Sequence, residues 1–132
     1  MAKILLVDDE IAVRELFAEV LAIDAHVVTQ AADGASAIAA VERESFDLVL
    51  TDLVMPDKEG IETIVEMRHR WPALKIIAMS GGGQGDAADY LDMAAALGAV
   101  ATLQKPFSSQ QLLDTVKQVL SKPANDSSPS PP

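Results

Sequence analysis

The chain has 132 residues, a formal net charge of −10 and 49% hydrophobic residues, which predict one globular domain with an apolar core. The excess of acidic residues argues against direct nucleic-acid binding, because the neutralisation of phosphates requires clusters of Lys and Arg. No cysteine and no apolar run long enough for a membrane span or a signal peptide are present, so we expect a cytoplasmic protein without disulfides.

Short apolar runs alternate with segments of helical period along the chain. Five of these runs predict β-strands, at residues 4–7, 26–29, 47–52, 75–80 and 100–103. The third run is apolar on both faces, which is typical of a strand in the middle of a parallel sheet.

A helical segment follows each predicted strand. The first helix is predicted from an apolar stripe with spacings of three and four, formed by Val13, Leu16, Phe17, Val20 and Leu21. Asp33 is a candidate N-cap of the second helix, and the Trp71–Pro72 pair predicts the end of the third. Gly98 suits the C-cap of the fourth helix. Ser108 and Gln111 form a capping-box pattern before the fifth.

Five strand–helix units predict a parallel sheet with helices on both faces. Right-handed crossovers then favour a doubly wound α/β domain, which we expect over residues 1–121. Residues 122–132 are rich in Pro, Ser, Asn and Asp, and we expect them to form a disordered tail.

Polar side chains stand at the carboxyl ends of four predicted strands, namely Asp8, Asp9, Asp52, Ser80 and Lys105. We expect them to converge, because ligands bind at this edge of open parallel sheets. Three neighbouring carboxylates repel one another, and a hard divalent cation such as Mg²⁺ relieves that repulsion. Ser80 and Lys105 could contact phosphoryl oxygens, so the set predicts phosphoryl transfer to Asp52.

These strand ends resemble the receiver domain of bacterial two-component response regulators. The resemblance covers residues 2–121 and rests on four segments, ILLVDDE at 4–10, DLVLTDLVMP at 47–56, AMSG at 78–81 and LQKPF at 103–107. It implies a flavodoxin-like (βα)5 fold with five parallel strands in the order 2-1-3-4-5.

The resemblance also implies a role for each acidic residue. Asp52 would be the phosphoacceptor. Mg²⁺ would be bound by the carboxylates of Asp9 and Asp52 and by the backbone carbonyl of Val54. Asp8 would help to position the ion through water.

Further implications concern the phosphoryl group and the partners. Ser80 and Lys105 would recognise the phosphoryl group, and the Lys105–Pro106 peptide bond is commonly cis in this family. The donor would be a phosphohistidine on a sensor histidine kinase or a histidine phosphotransfer protein. A downstream protein partner would bind the surface formed by residues of about 86–121.

The sequence departs from the family pattern at three places. Thr102 occupies a position where receivers often carry Tyr or Phe. In those receivers the aromatic ring moves when the Ser or Thr of the site shifts, and such a switch is not predicted here. We hypothesise that activation instead orders the glycine-rich loop at residues 81–85. Val54 and Gly82 stand where other receivers orient the attacking water, and neither side chain can do so, which predicts slow self-dephosphorylation.

Several functions remain open at this stage. A stand-alone receiver would catalyse only its own phosphorylation and dephosphorylation, and it would act through partner binding or onward phosphotransfer. Alternatively, the chain is the receiver fragment of a longer regulator. A phosphorylation-independent adaptor is a further alternative, but the acidic residues together with Ser80 and Lys105 argue against it. An Asp-nucleophile phosphohydrolase is disfavoured, because it needs a second Asp two residues after the nucleophile and Val54 occupies that position.

Overall fold

The computed structural model of the chain describes residues 2–53, 59–81, 92 and 95–122. Its five strands are β1 (Lys3–Val7), β2 (Val27–Ala31), β3 (Leu48–Asp52), β4 (Ile76–Gly81) and β5 (Ala101–Lys105). The helices among the described residues are α1 (Ile11–Ile23), α2 (Gly34–Arg43), α3 (Glu59–Arg70) and α4 (Ser109–Leu120). The helix predicted between β4 and β5 lies mostly outside the described residues, although Asp92, Ala95 and Ala96 have helical backbone. The predicted tail also lies outside them beyond Lys122.

The strands form one parallel sheet in the order β2-β1-β3-β4-β5, which confirms the predicted fold and strand order. β3 lies in the centre of the sheet, and all five of its residues are buried. The observed strands begin and end within about two residues of the predicted ones, which is the usual uncertainty at element ends. None of the helices in the described part of the chain is long and apolar enough to cross a membrane.

Alternate residues of the central strands pack into two separate apolar layers. Leu5 and Val49 lie side by side and belong to the layer that α2 and α3 cover. Leu6 and Leu50, one residue further along, belong to the layer with α1 and α4. Because successive side chains of a strand point to opposite faces, a strand buried on both faces is apolar along most of its length. The uninterrupted apolar runs of the sequence have this origin.

The predicted N-caps Asp33 and Ser108 are confirmed. The Asp33 carboxylate accepts a hydrogen bond of 2.7 Å from the backbone N–H of Ser36, and this bond lowers the pKa of Asp33. Ser108 and Gln111 form both hydrogen bonds of a capping box at the start of α4. Gly98 has a φ of 116°, in the left-handed region that favours glycine at a C-cap.

One residue of the predicted stripe on α1 does not join the core. Val20 and Leu21 are buried, as predicted. Val13 and Phe17 are half-buried, whereas Leu16 is 55% exposed. A helix turns by about 100° per residue, which places Leu16 at the margin of the arc that the other four side chains occupy. The prediction that Leu16 belongs to the buried stripe is therefore wrong.

Gly60 brings the start of α3 into close contact with the end of β3. A Cβ atom at this position would overlap the Leu53 carbonyl oxygen and would lie 2.7 Å from that of Asp52. Both neighbours are backbone atoms, which cannot rotate away as a side chain can. Only glycine allows the helix to approach the strand so closely.

We expect the Gly60→Ala substitution to destabilise the protein. Alanine has the higher helix propensity, by about 1 kcal/mol, so any loss of stability measures the steric conflict. Overpacking of this kind costs about 1–3 kcal/mol. Urea denaturation followed by circular dichroism measures the free energy of unfolding. Glu62→Ala, at an exposed position of the same helix, is the matched control and should change it by less than about 0.5 kcal/mol. A Gly60→Ala protein as stable as the wild type would contradict the packing argument.

Candidate functional site

Three carboxylates meet where β1 and β3 end. Asp8 and Asp52 are buried and Asp9 is exposed, and one oxygen atom of each lies within 4.8 Å of the others. Two unit charges at this separation repel by about 3–4 kcal/mol at an effective dielectric constant of about 20. Carboxylate oxygens are the ligands that Mg²⁺ prefers, and the exposed Asp9 leaves the cluster open to solvent. The donor set therefore fits a hard divalent cation.

Asp8 is held by hydrogen bonds to both its backbone and its side chain. Its N–H donates to the carbonyl oxygen of Ala31 at the end of β2, over 3.1 Å. Its carboxylate accepts a 3.0 Å bond from the backbone N–H of Glu10, the N-cap of α1. Its carbonyl oxygen accepts a 2.7 Å bond from Nη1 of Arg14. These contacts fix the chain at the first turn of α1.

Lys105 provides a positive charge inside the carboxylate cluster. Its Nζ donates to Oδ2 of Asp8 over 3.0 Å and to Oδ2 of Asp52 over 3.4 Å. Burial alone would lower the pKa of Lys105, but the attraction of Asp52 and the hydrogen bond to Asp8 outweigh it, so the pKa is raised. Lys105 is consequently protonated throughout the neutral range. One ammonium group cannot neutralise the charge of three carboxylates. The excess negative charge favours the binding of a second cation.

The chain is ordered on both sides of the Lys105 amine. Lys105 is the last residue of β5, and the Lys105–Pro106 peptide bond is cis, as the resemblance implied. The ring of the next residue, Phe107, stacks on Phe17 of α1 with 5.1 Å between ring centroids. The segment that carries the amine is thus packed against the same helix that begins at the carboxylates.

Ser80 places an unsatisfied hydroxyl group beside this cluster. The residue is fully buried on β4, and its Oγ has no hydrogen-bond partner among the residues that the structure describes. Met79, the preceding residue, is paired with Asp52 in the sheet. A buried hydroxyl without a partner costs about 1–3 kcal/mol. Such a group is accounted for if a ligand supplies the acceptor.

The structure brings together the side chains that the sequence placed at this edge, namely Asp8, Asp9, Asp52 and Lys105, with Ser80 on the adjacent strand. Val54, predicted to contribute a carbonyl ligand, lies outside the described residues, and so do residues 82–85 of the glycine-rich loop. Thr102 is exposed on the edge strand β5.

Two residues near the site were not predicted from the sequence. Arg14 and Gly60 both contact the backbone of the strand ends that carry the carboxylates. The only sequence signal for Arg14 is its place in the first turn of a helix that follows two aspartates. No periodic pattern singles out a glycine within a helix.

The sequence profile and the related proteins that match this chain indicate the same family. The sequence profile described as "Response regulator receiver domain" matches residues 4–117. The sporulation initiation phosphotransferase F of Bacillus subtilis is 34% identical over 123 residues, which are 93% of this chain and 97% of that protein. The transcriptional regulatory protein CpxR of Klebsiella pneumoniae is 37% identical, but the chain spans only 50% of its length. It spans 24% of the response regulator FleR of Pseudomonas aeruginosa.

Solved structures show the same fold. A CheY-like receiver domain protein from Methanospirillum hungatei superimposes with a TM-score of 0.83 at 29% identity, over 92% of this chain and 94% of that one. The response regulator TrrA of Thermotoga maritima, solved in complex with Mg(2+)-BeF, gives a TM-score of 0.79 at 29% identity, over 90% of this chain and 99% of that one. By sequence, by fold and by the acidic cluster at the carboxyl edge of its sheet, the chain belongs to the response regulator receiver domain family of two-component signalling.

Proposed function

We propose that this receiver accepts a phosphoryl group on Asp52 from a phosphohistidine of a sensor histidine kinase or a histidine phosphotransfer protein, in a reaction that needs Mg²⁺. One observation carries the proposal. The buried Asp52 carboxylate lies 3.4 Å from the Lys105 amine and close to two further carboxylates, next to a strand that bears a hydroxyl with no partner among the described residues. The three carboxylates supply oxygen ligands for the cation, and the amine and the hydroxyl supply donors for phosphoryl oxygens.

In the proposed reaction, a carboxylate oxygen of Asp52 attacks phosphorus opposite the departing imidazole. An O–P bond forms as the N–P bond breaks, and the electron pair of that bond leaves with the imidazole, which takes up a proton. Asp8, Asp9, Asp52 and the Val54 carbonyl would hold Mg²⁺, which supplies positive charge for the phosphoryl oxygens. The Lys105 amine would turn from its carboxylate partners toward one of these oxygens. The Ser80 hydroxyl would donate a hydrogen bond to another.

The proposal extends to the organisation and output of the chain. Residues 1–121 would form the receiver and residues 122–132 a disordered tail. The similarity to the B. subtilis phosphotransferase, along 97% of that protein, supports onward transfer of the phosphoryl group as one output. The covalent chemistry would be limited to the protein's own phosphorylation and dephosphorylation. Output would follow through a protein partner at residues of about 86–121 or through onward transfer of the phosphoryl group. A cytoplasmic location, slow self-dephosphorylation and ordering of the glycine-rich loop stay predictions.

Incubation with acetyl phosphate and Mg²⁺ should add one phosphoryl group to the wild-type chain, detected by intact mass. The Asp52→Asn variant should show no adduct, because its amide is not a nucleophile, and a chelator should abolish the adduct in the wild type. Asp24→Asn is the matched control, since this exposed residue is the C-cap of α1 and the cluster adjoins the opposite end of that helix. It should be phosphorylated like the wild type.

An adduct that persists in Asp52→Asn would place the phosphoacceptor elsewhere. If the wild type neither forms the adduct nor binds beryllofluoride, the chain is a phosphorylation-independent adaptor and the proposal is wrong.

The Ser80→Ala substitution should separate stability from phosphoryl recognition. It removes a buried hydroxyl that has no partner in the described structure, so the free energy of unfolding should stay unchanged or rise by about 1 kcal/mol. The affinity for beryllofluoride with Mg²⁺ should fall about tenfold or more, because a hydrogen bond to a charged ligand contributes about 1.5–3 kcal/mol. Calorimetric titration measures this affinity and urea denaturation the stability. Ser45→Ala, at an exposed position, should change neither. Unchanged affinity in Ser80→Ala would rule out the assigned contact.

A further inference from the structure

Arg14 connects three elements at the edge of the acidic cluster. It lies in the first turn of α1 and is half-buried. Its Nη1 donates to the Asp8 carbonyl oxygen over 2.7 Å, and its Nε donates to Oε1 of Gln30 on β2 over 3.3 Å. The guanidinium group is therefore held at two points, the residue that follows β1 and the neighbouring strand β2. A planar fork of donors suits such a bridge, and a single ammonium group does not.

The bond to the Asp8 carbonyl also acts on the next residue. The carbonyl of Asp8 and the N–H of Asp9 belong to one planar peptide unit, so fixing the oxygen fixes the plane from which Asp9 projects. Asp9 is exposed, and no hydrogen bond or ion pair holds its carboxylate within the described ranges. Asp8, in contrast, has its own carboxylate held by Lys105 and Glu10. The position of the Asp9 carboxylate thus depends on its backbone.

We propose that Arg14 is a positioning residue for the divalent-cation site, acting through the Asp8–Asp9 peptide. The inference rests on the proposed function, because it assumes that Asp8, Asp9 and Asp52 bind Mg²⁺. This ion demands near-ideal octahedral geometry and tolerates little displacement of its ligands. Arg14 and Gln30 together keep the Asp9 carboxylate within reach of the other two.

The direction in which Mg²⁺ affinity changes when Arg14 is removed distinguishes a positioning role from simple charge repulsion. Arg14 carries a positive charge near a cation site, so its removal should by Coulomb attraction alone strengthen Mg²⁺ binding. Loss of the bridge should instead weaken binding, since the removal of groups that orient metal ligands costs about 10–100-fold in affinity. The two explanations predict opposite changes.

The test is calorimetric titration of the full chain with MgCl₂ at constant ionic strength. We expect Arg14→Ala to weaken Mg²⁺ binding about tenfold or more. Arg14→Lys keeps the charge but has only one donor nitrogen and cannot bridge to Gln30, so its Mg²⁺ affinity should lie between those of Arg14→Ala and the wild type. Arg43→Ala is the matched control, because it removes an equal charge at an exposed position in the last turn of α2. Its affinity should equal or slightly exceed that of the wild type.

A second readout separates positioning from a general loss of structure. At saturating Mg²⁺, the rate of adduct formation from acetyl phosphate should stay within about twofold of the wild type in Arg14→Ala, while the Mg²⁺ concentration for half-maximal rate rises with the dissociation constant. If Arg14→Ala fails to fold by circular dichroism, Gln30→Ala replaces it. That variant keeps Arg14 but removes its second anchor, and it should weaken Mg²⁺ binding several-fold.

The outcomes distinguish the two proposals. Suppose that the wild type binds Mg²⁺ and that Arg14→Ala binds it equally well or more tightly. This result overturns the role of Arg14 and leaves the proposed function intact. An unchanged affinity in Gln30→Ala, when that variant replaces Arg14→Ala, has the same meaning. A wild-type chain that does not bind Mg²⁺ overturns the proposed function, and the positioning role with it.

Discussion

The structure of this receiver is organised around the mutual repulsion of three carboxylates at one edge of its sheet. Asp8 and Asp52 are buried there, and Asp9 completes the cluster from the solvent side. Buried charges of like sign persist only when the surrounding groups compensate them. Here the compensation comes from the Lys105 ammonium group and from the backbone N–H of Glu10. The apolar layers on both sides of the sheet give these groups a rigid support.

The single Lys105 ammonium group carries less charge than the three carboxylates together. The excess negative charge favours a divalent cation, and the unpartnered Ser80 hydroxyl favours a ligand with acceptor oxygens. Under the proposed function, the cation would balance the negative charge and the phosphoryl group would provide the acceptor oxygen. Local instability of this kind is typical of functional sites, where the rest of the fold supplies the stability. The wholly buried strand β3 performs that task beneath Asp52.

The sequence predicted the parallel α/β fold and the grouping of polar side chains at one edge because both depend on simple periodicities, whereas the strand order was implied by the family resemblance. Apolar runs mark parallel strands, and a polar residue that ends such a run must lie at the binding edge. Leu16 was misassigned because an apolar spacing pattern cannot show where the buried arc of a helix ends. Arg14 was missed because a long side chain that reaches back to a strand end has no signature in sequence spacing. Gly60 was missed because its role depends on the distance between two backbones.

The close approach at Gly60 has a consequence for the transmission of signals. The last residue of β3 is the proposed phosphoacceptor, and its carbonyl oxygen lies against the first turn of α3 with no room for a methyl group between them. Close-packed backbones cannot move past one another independently. We therefore expect the end of β3 and the start of α3 to move together. A displacement of the Asp52 backbone should then shift α3, whatever residue occupies position 102.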